Sequence, residues 1–183
     1  SAEPDLIMNK LFKLTPLEDT FSCNFNVLIG NRPKVMGIRE IIKEWLNFRI
    51  GCVRRQLSYD IDKKEEKLHL LVGLRKILLD IDKAIAIIRN TPNDSQVIEN
   101  LMKGFDIDRV QAEFVAEIKL RNLNKEYILE RVGEVEKLQK EIADLKGTLQ
   151  NERKIKQIIA KQLNEVAKKY GQPRKTEIIS DEH

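Results

Sequence analysis

Two long stretches of this chain repeat apolar residues every three or four positions, and a shorter, more densely apolar stretch separates them. From Ile38 to Asn90 no proline occurs, and only Gly51 and Gly73 interrupt good helix formers. Ile38, Ile41, Ile42, Trp45, Phe48 and Cys52 make one helical stripe. Leu71, Leu74, Leu78, Ile81, Ile85 and Ile88 then alternate steps of three and four, which is a heptad seam. The pattern predicts one ascending helix, stopped by Thr91-Pro92-Asn93-Asp94. A second helix is predicted from Lys125 to Tyr170, ended by Gly171 and Pro173. Its a positions are 128, 135, 142, 149, 156, 163 and 170, and its d positions 131, 138, 145, 152, 159 and 166. All are apolar except Arg131, Glu152 and Lys156.

If the two helices run antiparallel around the intervening stretch, position i faces roughly position 215 minus i. Leu78 and Ile81 then lie near Val135 and Leu138. The polar interval Ser58 to Lys67 falls opposite Thr148 to Gln157, where the second seam also weakens. The intervening stretch predicts a short helix from Ser95 to Lys103 with Gly104 as its left-handed cap. Asp108 and Gln111 have capping-box spacing and open another helix through Ile118. Before all this, Pro4 to Leu14 predicts a helix ended by Thr15-Pro16. The runs Asn24 to Ile29 and Lys34 to Met36 flank Gly30-Asn31-Arg32-Pro33 and predict a β-hairpin. The opening Ser1-Ala2 has the form of an expression scar, which would make the chain a piece of a longer one.

Composition agrees with helices. Of 183 residues 34% are charged and only 5% aromatic, which disfavours a compact sandwich or barrel. No apolar run reaches the roughly 18 residues of a membrane span, and no signal peptide opens the chain. Cys23 and Cys52 form no CxxC pair, so neither a disulfide framework nor a zinc ribbon is indicated.

Candidate chemistry is sparse. Asp60/Asp62 and Asp80/Asp82 are two apart on helices, diverge by about 200°, and share no metal. Asp106, Asp108 and Glu117 mimic calcium-loop positions, but Gln111 stands where the glycine belongs, so capping explains them better. His69 has no second histidine or cysteine near it and reads as a surface or seam residue. No phosphate-binding or nucleophile motif occurs, so no catalytic residue and no metal ligand is assigned.

Charge placement says more. Gly30 to Leu57 carries seven basic residues, among them Arg32, Lys34, Arg49, Arg54 and Arg55, against two acidic ones, for +5. Gln150 to Lys175 carries eight against two, for +6, whereas Thr91 to Leu123 carries four against six, for −2. In an antiparallel hairpin both basic segments fall at one end, which suits contact with phosphate there and not at the tip. The tip stretch holds many apolar groups for about thirty residues: Phe105, Ile107, Val110, Phe114, Val115, Ile118, Leu120 and Leu123 among them. So small a unit buries little by itself, which predicts packing on the hairpin tip and a face for a second copy.

Together these features resemble the A subunit of bacterial type IIA topoisomerases, DNA gyrase and topoisomerase IV. The matching stretches are Asn9-Lys10-Leu11-Phe12-Lys13-Leu14-Thr15-Pro16-Leu17, Phe21 to Leu28 and Arg32-Pro33-Lys34-Val35. Arg49-Ile50 with Arg54-Arg55, Ile81-Asp82 through Arg89, Gln111-Ala112 with Leu120 and Leu123, and Arg174 to Ile178 follow in order.

The resemblance implies a mainly α fold: a long antiparallel coiled-coil hairpin, a small helical globule at its tip, and a short β-hairpin plus return strand at its base. Residues 1–36 would end a tower-like segment, 37–90 form the ascending helix, 91–123 the dimerising exit gate, 124–171 the descending helix, and 172–183 the return strand and tail. It also implies a homodimer through the globule, double-stranded DNA near the basic end, and an ATPase B subunit. Magnesium and ATP would come through that partner, no cofactor being held in this fragment, and the setting would be the cytoplasm near the nucleoid. The family's cleavage tyrosine lies in a winged-helix domain that precedes this region. Tyr59, Tyr127 and Tyr170 match no such motif, so the fragment alone is expected to be inactive. Phe114, Glu117 and Lys119 depart from the gyrase pattern at the gate helix, which leaves gyrase and topoisomerase IV both open. The competing reading is a non-enzymatic antiparallel coiled-coil adaptor or nucleic-acid-binding arm.

Overall fold

A computed structural model describes residues 2–180. The chain divides into two compact units, residues 1–47 and 48–183.

The first unit opens with α1 (Pro4–Leu14), which has proline in its first turn and ends where Thr15 Oγ1 donates to the Leu11 carbonyl. No residue of α1 is buried. Strands β1 (Asn26–Ile29) and β2 (Arg32–Val35) pair antiparallel with Ile29 opposite Arg32. Gly30 and Asn31 both have positive φ, 57° and 62°, which is the two-residue turn whose twist matches that of paired strands. The hairpin is where the sequence predicts it.

Helix α2 (Ile38–Leu78) is the longest element, and its stretch from residue 48 onward belongs to the second unit. Its seam there consists of buried Ile50, Val53, Leu57, Ile61, Leu71, Leu74, Ile77 and Leu78. The pattern predicts one uninterrupted helix to Asn90. Instead the chain breaks at Leu79 and Asp80, and the Asp80 side chain accepts from the Lys83 backbone N–H to start α3 (Ile81–Asn90). Two further helices follow, α4 (Val97–Phe105) and α5 (Arg109–Ala116). The left-handed residue after α4 is Asp106 (φ 51°), not Gly104. Gly104 is helical, and a Cβ there would come within 2.5 Å of Ile87 Cδ1, so its missing side chain serves α3–α4 approach. The capping box of Asp108 and Gln111 forms as expected.

The return path is α6 (Lys125–Leu149) and α7 (Glu152–Tyr170), interrupted at Gln150 and Asn151 where the pattern predicts one helix. On α6 the heptad holds: Val135, Leu138 and Ile142 are buried. On α7 the buried residues are Ile155 and Ile159, while Lys156 lies outside and pairs with Glu152. Asn151 caps α7, so the helical phase restarts there, which explains why two expected seam positions are polar.

Cross-helix pairs fix the register. Lys67 meets Glu134, Lys64 meets Glu141, Glu65 meets Lys146, Arg54 meets Glu152 and Arg49 meets Gln162. The paired numbers sum to between 201 (Lys67 with Glu134) and 211 (Arg49 with Gln162), all below 215. The difference follows from the break at Asp80, since α2 leaves the antiparallel pair at Leu78 rather than at Asn90. The polar interval 58–67 is therefore opposite α6, and ion pairs bridge it.

Residues 171–180 form no strand, and β1–β2 is the only sheet among the described residues. The return strand expected at 172–183 is thus not formed over 172–180, whose backbone makes no strand pairing; 181–183 lie outside the described residues.

Candidate functional site

Where α2 ends, two apolar clusters join the globule to the antiparallel pair. Leu71, Leu74, Leu78, Val135 and Leu138 form one, against which Phe114, Val115, Ile118 and Leu123 pack. Ile77, Ala84, Leu101, Ile107 and Ala112 form the other, with Phe105 and Val115 against it. Between α3, α5 and the 3₁₀ turn Leu120–Asn122 these clusters leave an open groove of about 310 Å³. Leu74, Ile77 and Leu101 floor it, and Ile85, Ile88, Val115, Ile118, Leu120 and Leu123 wall it. Among the described residues, Arg89 is its one charged lining residue. Leu120 is 80% exposed, Ile88 47% and Ile85 43%. A single buried leucine contributes about 2 kcal/mol, so a contiguous apolar surface of this kind favours a covering partner.

The eight residues expected at a dimer interface separate into distinct places. Val115, Ile118, Leu120 and Leu123 line the groove. Ile107 is core at 6% exposure, and Phe105 packs on the same core with Lys83 over its ring. Phe114 packs toward the α2–α6 cluster instead. Val110 is 60% exposed but does not line the groove. The groove also contains Ile81, Ile85 and Ile88 of α3, which the sequence pattern assigns to the coiled-coil seam. Asp80, a good capping residue directly before them, is the signal in the sequence that separates them from it.

The basic residues also divide. Arg32 and Lys34 lie on exposed β2 of the first unit. In the second unit Arg49 Nη2 donates to Gln162 Oε1 at 2.9 Å, and Arg54 lies 3.7 Å from Glu152. Arg55 Nη2 donates to Cys52 Sγ at 3.3 Å. The structure therefore sets Arg49 and Arg54 against basic α7, in pairs exposed enough that each holds its geometry only weakly.

His69, read from the sequence as a lone surface or seam residue, bonds through Nε2 to Asp108 Oδ2 and links α2 to the start of α5. The Asp108 carboxyl is held below its usual range, first by the backbone N–H of Gln111 and then by the His69 ring. Glu134 is likewise lowered, chiefly by Arg131, and Glu141 chiefly by Lys64. Among the described residues no three His, Cys, Asp or Glu side chains gather as a metal site, and no helix is long and apolar enough to cross a membrane.

Comparison with known proteins agrees across the chain. It is 39% identical over 173 residues to the A subunit of DNA topoisomerase 4 from Escherichia coli (strain K12), covering 94% of this chain and 23% of that protein. It is 37% identical over 180 residues to the A subunit of DNA gyrase from Clostridium acetobutylicum, covering 97% and 21%. The gyrase A subunit of Leptospira biflexa is 33% identical over 177 residues, covering 97% and 21%. The chain thus spans little more than a fifth of the length of these curated relatives. The family model for the A subunit of DNA gyrase/topoisomerase IV matches residues 1–164. With most of its length matched in this way, the chain belongs to the family of DNA gyrase/topoisomerase IV A subunits.

Proposed function

We propose that this chain is the coiled-coil and exit-gate portion of the A subunit of a type II topoisomerase, acting by self-association of its distal globule. The observation that carries the reading is the groove between α3 and α5, apolar on its floor and walls and open at Ile85, Ile88 and Leu120. A two-fold contact through this face closes behind a transported duplex and opens to release it, while strand cleavage belongs to other parts of the protein. Supercoiling or decatenation, ATP hydrolysis through a B subunit, magnesium, and cytoplasmic work near the nucleoid belong to the whole protein in this reading. Gyrase and topoisomerase IV relatives match with near-equal identity.

The basic residues Arg32, Lys34, Arg49, Arg54 and Arg55 contact double-stranded DNA through phosphate, without base readout. The acidic globule stays clear of it, its residues 91–123 carrying −2.

Sedimentation of two variants tests the gate. Ile88→Glu places a charge on the groove wall and yields a monomer of unchanged helix content. Val110→Glu, exposed but off the groove, leaves association intact. The opposite pattern moves the contact to the outer face of α5 and defeats the proposal.

A further inference from the structure

Gln111 is the only polar residue buried among the described residues, at 6% exposure. A buried primary amide needs partners for its donors and its carbonyl, and Gln111 finds them on two elements. Its Oε1 accepts from the Asp108 backbone N–H at 3.0 Å, while Asp108 Oδ1 accepts from the Gln111 backbone N–H at 2.9 Å. Its Nε2 donates to the backbone carbonyl of His69 at 2.7 Å. That carbonyl is in the interior of α2, where the helix already gives it an acceptor role. The His69 ring closes the circuit through its bond to Asp108.

Such a carbonyl is ordinarily screened. Side chains on an α-helix tilt toward its N-terminus, so the residue four positions on overlies it. Four positions after His69 stands Gly73. A Cβ there would lie 2.7 Å from Gln111 Cβ, 2.9 Å from Cγ and 3.0 Å from Cδ. Gly73 therefore weakens α2 locally in helix propensity but bares the strip into which Gln111 fits. The histidine carbonyl, the glycine and the glutamine form one device.

We infer that Gln111 is a positioning residue for the groove: its bond to the His69 carbonyl fixes the rotation and register of α5 on α2 without touching the groove's occupant. Apolar contacts such as those of Ala112 and Val115 tolerate sliding, whereas a buried hydrogen bond is satisfied at one placement only. Val115 and Ala116, four and five residues along, line the groove and inherit that placement. The inference rests on the groove being a self-association surface.

The test uses the whole chain with Gln111→Leu, Gln111→Glu and Gly73→Ala, read by amide exchange, carbonyl ¹³C shift and sedimentation. Gln111→Leu removes both functions of the side chain. Gln111→Glu keeps the acceptor for Asp108 but, ionised, has no donor for His69. All three variants should lose about tenfold in α5 amide protection and in self-association, the equivalent of one hydrogen bond. Protection around Ile142 should be unchanged. The His69 carbonyl signal should move upfield in both Gln111 variants, a signature that loss of packing alone does not produce. If Gln111→Leu retains α5 protection, the carbonyl shift and association, the residue only fills space and the inference fails. If Gln111→Leu and Gln111→Glu lose helix throughout, Gln111 is a folding determinant instead, and the inference fails equally. Failure of the dimer reading looks different: Ile88→Glu stays associated while the exchange and carbonyl results stand.

Discussion

Leu120 gives the most quantitative test of the groove. It is 80% exposed, so folding has withdrawn only about a fifth of it from water. Leu120→Ala removes three carbons, about 2.4 kcal/mol when fully buried. Scaled by the exposed share, complete burial against a second copy is equivalent to about 1.9 kcal/mol in each protomer. A two-fold contact counts the residue twice, which gives about 3.8 kcal/mol and a dissociation constant raised roughly 600-fold. Sedimentation equilibrium across a wide concentration range measures that constant. Denaturant unfolding of the monomer supplies the control, since so exposed a residue should alter monomer stability by no more than about 0.5 kcal/mol. A change in dissociation below about fivefold removes Leu120 from the contact. A monomer destabilised by more than about 1 kcal/mol places Leu120 in the core instead, and either result refutes the reasoning.

Three other outcomes are expected. Leu74→Ala, at a fully buried site packed with Leu71, Leu78, Val135 and Leu138, should lower unfolding free energy by about 3 kcal/mol in urea. Glu134, Glu141 and Asp108 have folded pKa values below their ordinary 4.5, 4.5 and 3.8, so their contribution is complete above those values and lost as pH falls through the lowered ones. Urea midpoints should thus hold from neutral pH to about pH 5 and fall below about pH 4, and a midpoint flat down to pH 3 would count against these pairings. Neutralising Arg49, Arg54 and Arg55 together should flatten the log–log salt dependence of DNA binding by about one to two units, whereas neutralising Lys119 and Arg121 should leave it unchanged.

Elements set by local chemistry are readable from the sequence. The Gly30-Asn31 turn needs two residues tolerant of positive φ, and the Asp108–Gln111 box needs a fixed spacing; both form as expected. The seam at Val135, Leu138 and Ile142 is equally plain. Periodicity shows which face of a helix is apolar but not what covers it. Ile81, Ile85 and Ile88 continue the beat of Leu71, Leu74 and Leu78, yet Asp80 separates them and turns them to the groove. The phase slip before Ile155 is hidden for a similar reason, because an asparagine inside a charged helix looks like solvent-facing surface. The role of Gln111 has no local signature, since its partner is a backbone carbonyl 42 positions away.

The gap at Gln150 and Asn151 has a mechanical consequence. Within the second unit one rod of the pair is continuous through this level, while the other is cut opposite Arg54. A pair of coupled rods resists flexure mainly by carrying tension in one member and compression in the other, and a cut member carries neither well. Bending compliance is therefore concentrated at one height, and the rod from Arg54 to Leu78 acts as a lever of about 36 Å. A flexure of about 10° there carries the groove roughly 6 Å sideways without disturbing a buried contact of the globule. A displacement on that scale would need only elastic deformation of the shaft, with the apolar face carried as an intact end-piece.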